Sequence, residues 1–422
     1  MSSRIELPPD DVDGLPHEPT SSARTSPAIP SLLGRNDERE FLRVQRARVE
    51  QQGFVVAELL GRPGAGKSSL LRVFAEERAA MGDRVMELAP DSYGGCLSGH
   101  VYVTLLGMLV GTTPGLGSSD VERTETLAAA LGAAGSGEGR LVVLIDDFDR
   151  IDALSRRVVT ALVRSPPQSA MLLVVSSGAM ALPGAVALRE VAPLSREQAR
   201  FRVAPHVLDA WPALAGFTAL ELEQLEGYWR EGGRAAASLE EVVAERARRT
   251  DASARDFLQL LAVLRAPYPS AHLDASSRRA ALELQKRGFV RMSSQGAQLA
   301  HAWLAGIVRS TLSREESRAK EADALERLTR WGAPLEARAW SAYRAGAVGL
   351  GVVLLEQVAR ASEAAADYPR AVDAYQAMAE LCRAETAKSE FDSPKDIETQ
   401  AVRRGAEALR KSYAPPQVQH DE

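Results

Sequence analysis

One stretch, FVVAELLGRPGAGKSSLLRVFAEERAAMG (residues 54–82), limits what the chain can fold into more than any other. FVVAELL reads as a strand, and the segment behind it has the spacing Gly61-x-x-x-x-Gly66-Lys67-Ser68. That spacing belongs to a loop whose backbone N–H groups wrap a chain of phosphates. Gly61, Gly64 and Gly66 let the backbone close on an anion, with Pro63, Ala65 and Ser69 completing the loop and the first helical turn. Lys67 is placed to neutralise the outer phosphates and Ser68 to hold Mg²⁺. The helix that follows ends at Gly82, the residue type that closes helices in the left-handed conformation. Strand, loop and helix in this order predict an α/β fold with the loop at the end of a parallel strand.

A loop of this kind works with an acid at the end of a second strand, and LVVLIDDFDRID (141–152) supplies one. Asp146 follows five apolar residues, so its carboxylate stands at a strand end, near the metal beside Ser68. Asp147 is placed to polarise a water for attack on the γ-phosphate. Lys67 and Asp147 are therefore the candidate catalytic residues, and Ser68 and Asp146 the candidate metal ligands. Asp152 precedes the helical pattern ALSRRVVTALV and reads as its cap. Other strand patterns lie at 84–88, 140–145, 170–176 and 185–191, with helical patterns between them, which implies a parallel sheet covered on both faces. Residues 31–53 read as a helix with Phe41, Leu42 and Val44 on its inner side. The ligands implied are ATP or ADP with Mg²⁺.

Charge narrows the partners. The chain has 422 residues, with 51 basic side chains against 56 acidic ones and a net charge of -5, so no global field draws it to nucleic acid or anionic lipid. Cys96 and Cys382 lie far apart without metal-type spacing, which suits a reducing compartment. No apolar run reaches membrane-span length, and the first residues lack the apolar core of a signal peptide, so a cytoplasmic protein with no membrane partner is expected. Residues 1–28, rich in Pro, Ser and Asp, read as a disordered tail. After Pro193 the pattern is almost continuous helix, interrupted near 287–303 by a hairpin pattern. Helices then persist to Ala408, and SYAPPQVQHDE reads as a loose end.

Taken together, these motifs resemble the signal-transduction ATPases with numerous domains (STAND), a branch of the AAA+ superfamily that includes large LuxR-type bacterial regulators. LLGRNDEREFL is similar to the family's opening signature, which implies that Gly34, Arg35 and Glu38 contribute to the adenine pocket. The resemblance implies a P-loop ATPase core at 29–193, a helical lid at 194–250, a winged-helix-like domain at 251–330, tetratricopeptide-like helices at 331–410 and a tail at 411–422. EAAADYPRAVDAYQAMAEL (363–381) is similar to one such repeat, through Asp367, Tyr368, Ala371, Ala374 and Tyr375. His301 falls on a family position and is assigned a structural role; Arg278, Arg279, Lys286 and Arg287 read as a solvated face.

Three departures from the family pattern imply slow turnover. Ser176, Ser177 and Gly178 stand where relatives carry an arginine that senses the γ-phosphate, Ala235 replaces a lid proline, and Asp147 is shorter than the glutamate of fast relatives. The function implied is a signalling ATPase in which ATP and ADP favour different arrangements. Its partners would be a protein engaged by the C-terminal helical region and a nucleotide-dependent homo-oligomer. Two readings stay open beside it. One is a DNA-binding ATPase that uses the winged helix, which the acidic balance disfavours; the other is a nucleotide-stabilised scaffold with little hydrolysis.

Overall fold

A computed structural model describes residues 34–413, except 92, 94–96, 113–114, 118, 136–138, 179–181, 184–185, 212–215, 234–237 and 387–392. The tail expected at 1–28, Cys96 and Ala235 lie outside the described residues.

The first half alternates helices and strands as the sequence pattern requires. In chain order these are α1 (Asn36–Gln52), β1 (Phe54–Leu60), α2 (Lys67–Ala80), β2 (Arg84–Leu88), α3 (His100–Val110), α4 (Asp120–Gly135), β3 (Leu141–Ile145), α5 (Ala153–Arg164), β4 (Met171–Ser177) and β5 (Ala187–Glu190). The strands form one parallel sheet in the order β2-β3-β4-β1-β5. β3 shows why the sheet has two covers. Leu141, Val143 and Ile145 face a core shared with α3, α4 and α5, while Val142 and Leu144 face Leu70, Leu71 and Phe74 of α2. Alternate residues of a strand point to opposite faces, so a strand that is apolar throughout must be buried on both. Gly82 closes α2 as expected: it takes φ +85 and donates its N–H to Ala79.

The buried side of α1 differs from the expected one. Glu38, Leu42, Gln45 and Val49 line it, and Val44 is exposed. At 3.6 residues per turn, Val44 sits about 200° round the helix from Leu42, so both cannot face the sheet.

Residues 194–250 form β6 (Leu194–Ser195), α6 (Arg196–Ala199), α7 (Pro205–Asp209), β7 (Gly216–Phe217), α8 (Ala219–Arg230) and α9 (Leu239–Arg248) around a core that includes Trp211, Phe217 and Leu225. Reciprocal caps, Ser195 with Gln198 and Thr218 with Glu221, start α6 and α8. Next come α10 (Ala252–Leu264), α11 (Ala275–Lys286), the antiparallel pair β8 (Val290–Ser293) and β9 (Gly296–Leu299), α12 (Ala302–Ser310) and α13 (Arg314–Arg330). The hairpin pattern near 287–303 is therefore a hairpin. Its second strand also bridges Tyr268 through Ala297. His301 stands at the start of α12 without a side-chain cap bond, and burial lowers its pKa.

The last helices are α14 (Leu335–Ala345), α15 (Val348–Ala364), α16 (Tyr368–Thr386) and α17 (Ser393–Tyr413). Ala339, Ala342, Ala359, Ala371 and Ala374 are buried between them, the small side chains allowing close approach of neighbouring helices. The helix runs a few residues past the expected boundary at 410, because LRKSY contains no breaker and the first proline is Pro415. Among the described residues no helix is long and apolar enough to cross a membrane.

These helices are fastened to the glycine-loop half of the chain at one corner. Asp367, between α15 and α16, is buried and accepts hydrogen bonds from Arg157 of α5 (3.0 Å) and from the Ser98 hydroxyl. Arg123 of α4, also fully buried, pairs with Asp120 at 2.7 Å and donates to the Ala365 carbonyl. Asp367→Ala leaves the Arg157 and Ser98 donors short of an acceptor, and the expected loss is about 2–3 kcal/mol of folding stability. Urea unfolding with unchanged slope checks this, and a midpoint equal to wild type would show that the corner adds nothing.

Candidate functional site

The strand order places the expected residues together at one end of the sheet. β4 lies between β1, which feeds the glycine loop, and β3, which ends at Asp146. Ile145 pairs with Val175 and Leu59 with Ser176, so Asp146 and the start of the loop flank the tip of β4. Parallel sheets bind ligands outside such carboxyl ends.

The loop fits an anion by its backbone. Gly66 caps α2 at φ +97, a conformation closed to most side chains, and it brings no side-chain cap. The first N–H groups of α2 thus lack a side-chain acceptor from their cap, at the positive end of the helix dipole. Lys67 is buried and folds back, donating from Nζ to the carbonyls of Gly61 (2.7 Å) and Arg62 (3.3 Å). Ser68 is exposed in the first turn, beside half-buried Ser69, and Pro63 is exposed in the loop. Ala65 is buried and its carbonyl accepts from Arg35 at 2.9 Å. Arg35 also pairs with Glu38 at 2.8 Å, so this arginine reaches the site by bracing the loop. Gly34 sits against the 194–250 segment, where a Cβ would meet Gln198 Nε2 at 2.7 Å.

Gly64 explains how closely the 194–250 segment approaches. It takes φ +80, and a Cβ there would lie 2.5 Å from Leu220 Cβ at the start of α8. Arg62 adds an ion pair to Glu221 at 3.3 Å. The loop is thus held from outside by α8 and from one side by Arg35.

The acids form a second cluster. Asp146 accepts a hydrogen bond from the Ser176 hydroxyl, and the same Ser176 oxygen accepts from the Asp147 N–H at 3.0 Å. Asp147 takes φ +46, which a short polar side chain tolerates, and its carboxylate meets Arg150 at 3.2 Å. Burial first, then the neighbouring Asp146 carboxylate, hold the Asp147 carboxyl above the ordinary aspartate range; Arg150 and Lys67 pull the other way. Gly178 donates to Asp149 at 3.1 Å. Behind them, fully buried Glu58 of β1 accepts from the Ser177 hydroxyl and from the Leu182 N–H, both at 2.8 Å. Asp152 caps α5 as expected, accepting from Ser155 N–H at 2.8 Å, and also takes the Gly99 N–H at 2.7 Å.

Three of these residues were not singled out for this work from sequence. Ser176 and Ser177 look like gaps where an arginine is expected, yet they position the acids and the strand tips. Glu58 carries the clearest signal, a lone carboxylate inside the apolar run FVVAELL. Ser176→Ala removes the group that orients Asp146 and Asp147. Hydrolysis is expected to fall ~10–100-fold with nucleotide affinity nearly unchanged. Steady-state turnover set beside calorimetric affinity checks it, and an equal loss in both would place Ser176 in binding instead.

Mg²⁺ with a nucleotide suits these donors. Among the described residues no group of three or more His, Cys, Asp or Glu forms a metal cluster. A hydroxyl (Ser68) and one carboxylate (Asp146) are what Mg²⁺ takes when phosphates and water supply the rest. The basic residues of α11 and its C-cap lie elsewhere: Arg278, Arg279 and Lys286 are exposed, and the cap residue Arg287 pairs with Glu283 at 2.9 Å.

A family profile for AAA ATPase domains matches residues 31–175. A solved STAND protein with a tetratricopeptide repeat sensor, from Pyrococcus horikoshii, is similar over 89% of this chain, at a TM-score of 0.58 and 15% identity; this chain spans 59% of that one. Fainter likenesses are to Cdc6p from Pyrobaculum aerophilum (TM-score 0.38, 13% identity, 68% of this chain and 98% of that one) and to the ORC1 protein of Aeropyrum pernix in complex with DNA (0.36, 17%, 67% and 94%). No curated protein matches significantly. The loop, Asp146, Asp147 and the tip of β4 are thus set at one end of the sheet inside or beside residues 31–175, the span that is similar to AAA ATPase domains.

Proposed function

We propose that the chain is an ATP-binding, slowly hydrolysing switch of the STAND type that controls a protein partner. Backbone N–H groups from Gly64 to Ser69 and the Lys67 ammonium hold the phosphates, Ser68 and Asp146 hold the metal, and Gly34 and Arg35 border the base. Mg²⁺, when bound with ATP, neutralises charge on the transferring phosphoryl group. Asp147 accepts the proton of the attacking water, and its raised pKa suits it to that exchange.

The observation that carries the slow reading is the occupation of the β4 tip. Ser176 and Ser177 are bound to Asp146 and Glu58, and no arginine stands in this place to meet the γ-phosphate. A missing arginine in phosphoryl transfer is worth roughly 10³–10⁵ in rate. The C-terminal helices, attached through Asp367, are the part proposed to engage the partner.

Light scattering of the full chain with ADP, then with a non-hydrolysable ATP analogue, tests the switch, beside a turnover assay. Expected are turnover below ~1 s⁻¹ and a change of mass or hydrodynamic radius between the two nucleotides. Fast turnover by the isolated protein, or identical scattering in both states, would defeat the proposal.

A further inference from the structure

Away from the glycine loop, a cavity of about 790 Å³ lies between α12–α13 and the helices α14–α16. That volume is in the range of small-molecule sites, which run from about 300 to 1,000 Å³. Its walls carry Arg309, Arg314, Arg318 and Arg344. Facing them are Glu380 and Glu385 of α16, and Glu380 already receives a hydrogen bond from the Tyr343 hydroxyl. Four cations therefore converge on a space with two carboxylates, one of them engaged.

The cations are not equally satisfied by the protein. Arg344 is paired with buried Glu321 at 2.8 Å. Arg309 is half-buried and donates to the Ala262 carbonyl at 3.0 Å, and among the described residues it makes no ion pair to a carboxylate. Burial there lowers its pKa, Glu321 opposes the shift and the neighbouring Arg344 adds to it, so this cation is poorly solvated and crowded by its own sign. Arg314 and Arg318 stand one turn apart on α13, both exposed, and neither guanidinium makes a hydrogen bond or ion pair among the described residues. Leu312, Val348 and Leu381 give the cavity an apolar part. Guanidinium groups in such a cluster suit planar, doubly hydrogen-bonding anions, carboxylate or phosphate.

We propose that this cavity binds a small polyanionic molecule bearing two or more carboxylate or phosphate groups, held by Arg309, Arg314, Arg318 and Arg344. Because Arg309, Arg314 and Arg318 lie before residue 330 and Arg344 lies on α14, the bound molecule bridges the two segments.

Calorimetric titration of the full chain with citrate, and separately with inorganic pyrophosphate, tests the proposal. The two arms distinguish a carboxylate from a phosphate ligand, and Lys67→Ala protein removes pyrophosphate capture by the glycine loop. At least one probe is expected to bind wild type and Lys67→Ala alike, with affinity falling tenfold or more in R314E/R318E. Both positions are exposed in the first turns of α13, where glutamate is favoured by the helix dipole, so the double variant is expected to melt as wild type does. Should it not, R314Q/R318Q gives the same comparison without charge reversal. Absence of binding by both probes at millimolar concentration, or binding that neither double variant weakens, overturns the site.

Discussion

Lys67→Ala is expected to lose ATP binding almost completely while the protein stays folded. The ammonium lies within the loop, and its contacts are to the Gly61 and Arg62 carbonyls, both parts of the loop itself. It therefore contributes little to the core, and its loss should shift the melting temperature slightly. In the proposed nucleotide complex the same ammonium would turn to phosphate oxygens, where charge-assisted bonds are worth about 1.5–3 kcal/mol each. Losing two such bonds weakens binding by about 100-fold or more. Calorimetry on a variant shown to be folded by circular dichroism reads the result; undiminished affinity would remove Lys67 from the site.

Asp147→Asn separates binding from chemistry. The residue sits at φ +46, and asparagine is the replacement best able to keep that conformation along with the N–H bond to Ser176. The amide fills the same space and cannot accept a proton from water. ATP affinity should hold within a few-fold while single-turnover hydrolysis falls by ~10²–10⁴. Unchanged hydrolysis would assign the base elsewhere, and lost affinity would mean that Asp147 supports the metal beside Asp146.

The sheet and the glycine loop were legible because they rest on local patterns. Apolar runs of strand length, a fixed glycine spacing and an acid directly after LVVLI each declare their structure within a few residues. What was not legible joins distant parts of the chain. Ser177 meets Glu58 across 119 residues, and Arg157 meets Asp367 across 210. Ser176 illustrates the limit. Read alone it is a missing arginine, and only the pairing of β4 between β3 and β1 shows that its hydroxyl belongs to the acids on one side of it. Arg35 is similar: the opening signature marks it for the nucleotide site, while its partner, the Ala65 carbonyl, emerges only when the loop is folded. Asp367 reads as a repeat position, and its burial against α5 depends on how the last helices return to the first domain.

The position of Arg157 has a mechanical consequence. It lies five residues beyond Asp152, about 7.5 Å along a helix whose first turn is pinned directly after the acid turn. A helix of this length behaves as a rigid rod. The acid turn and the corner that holds Asp367 are therefore little more than one helical turn apart on the same rod, and any tilt of that rod displaces both at once.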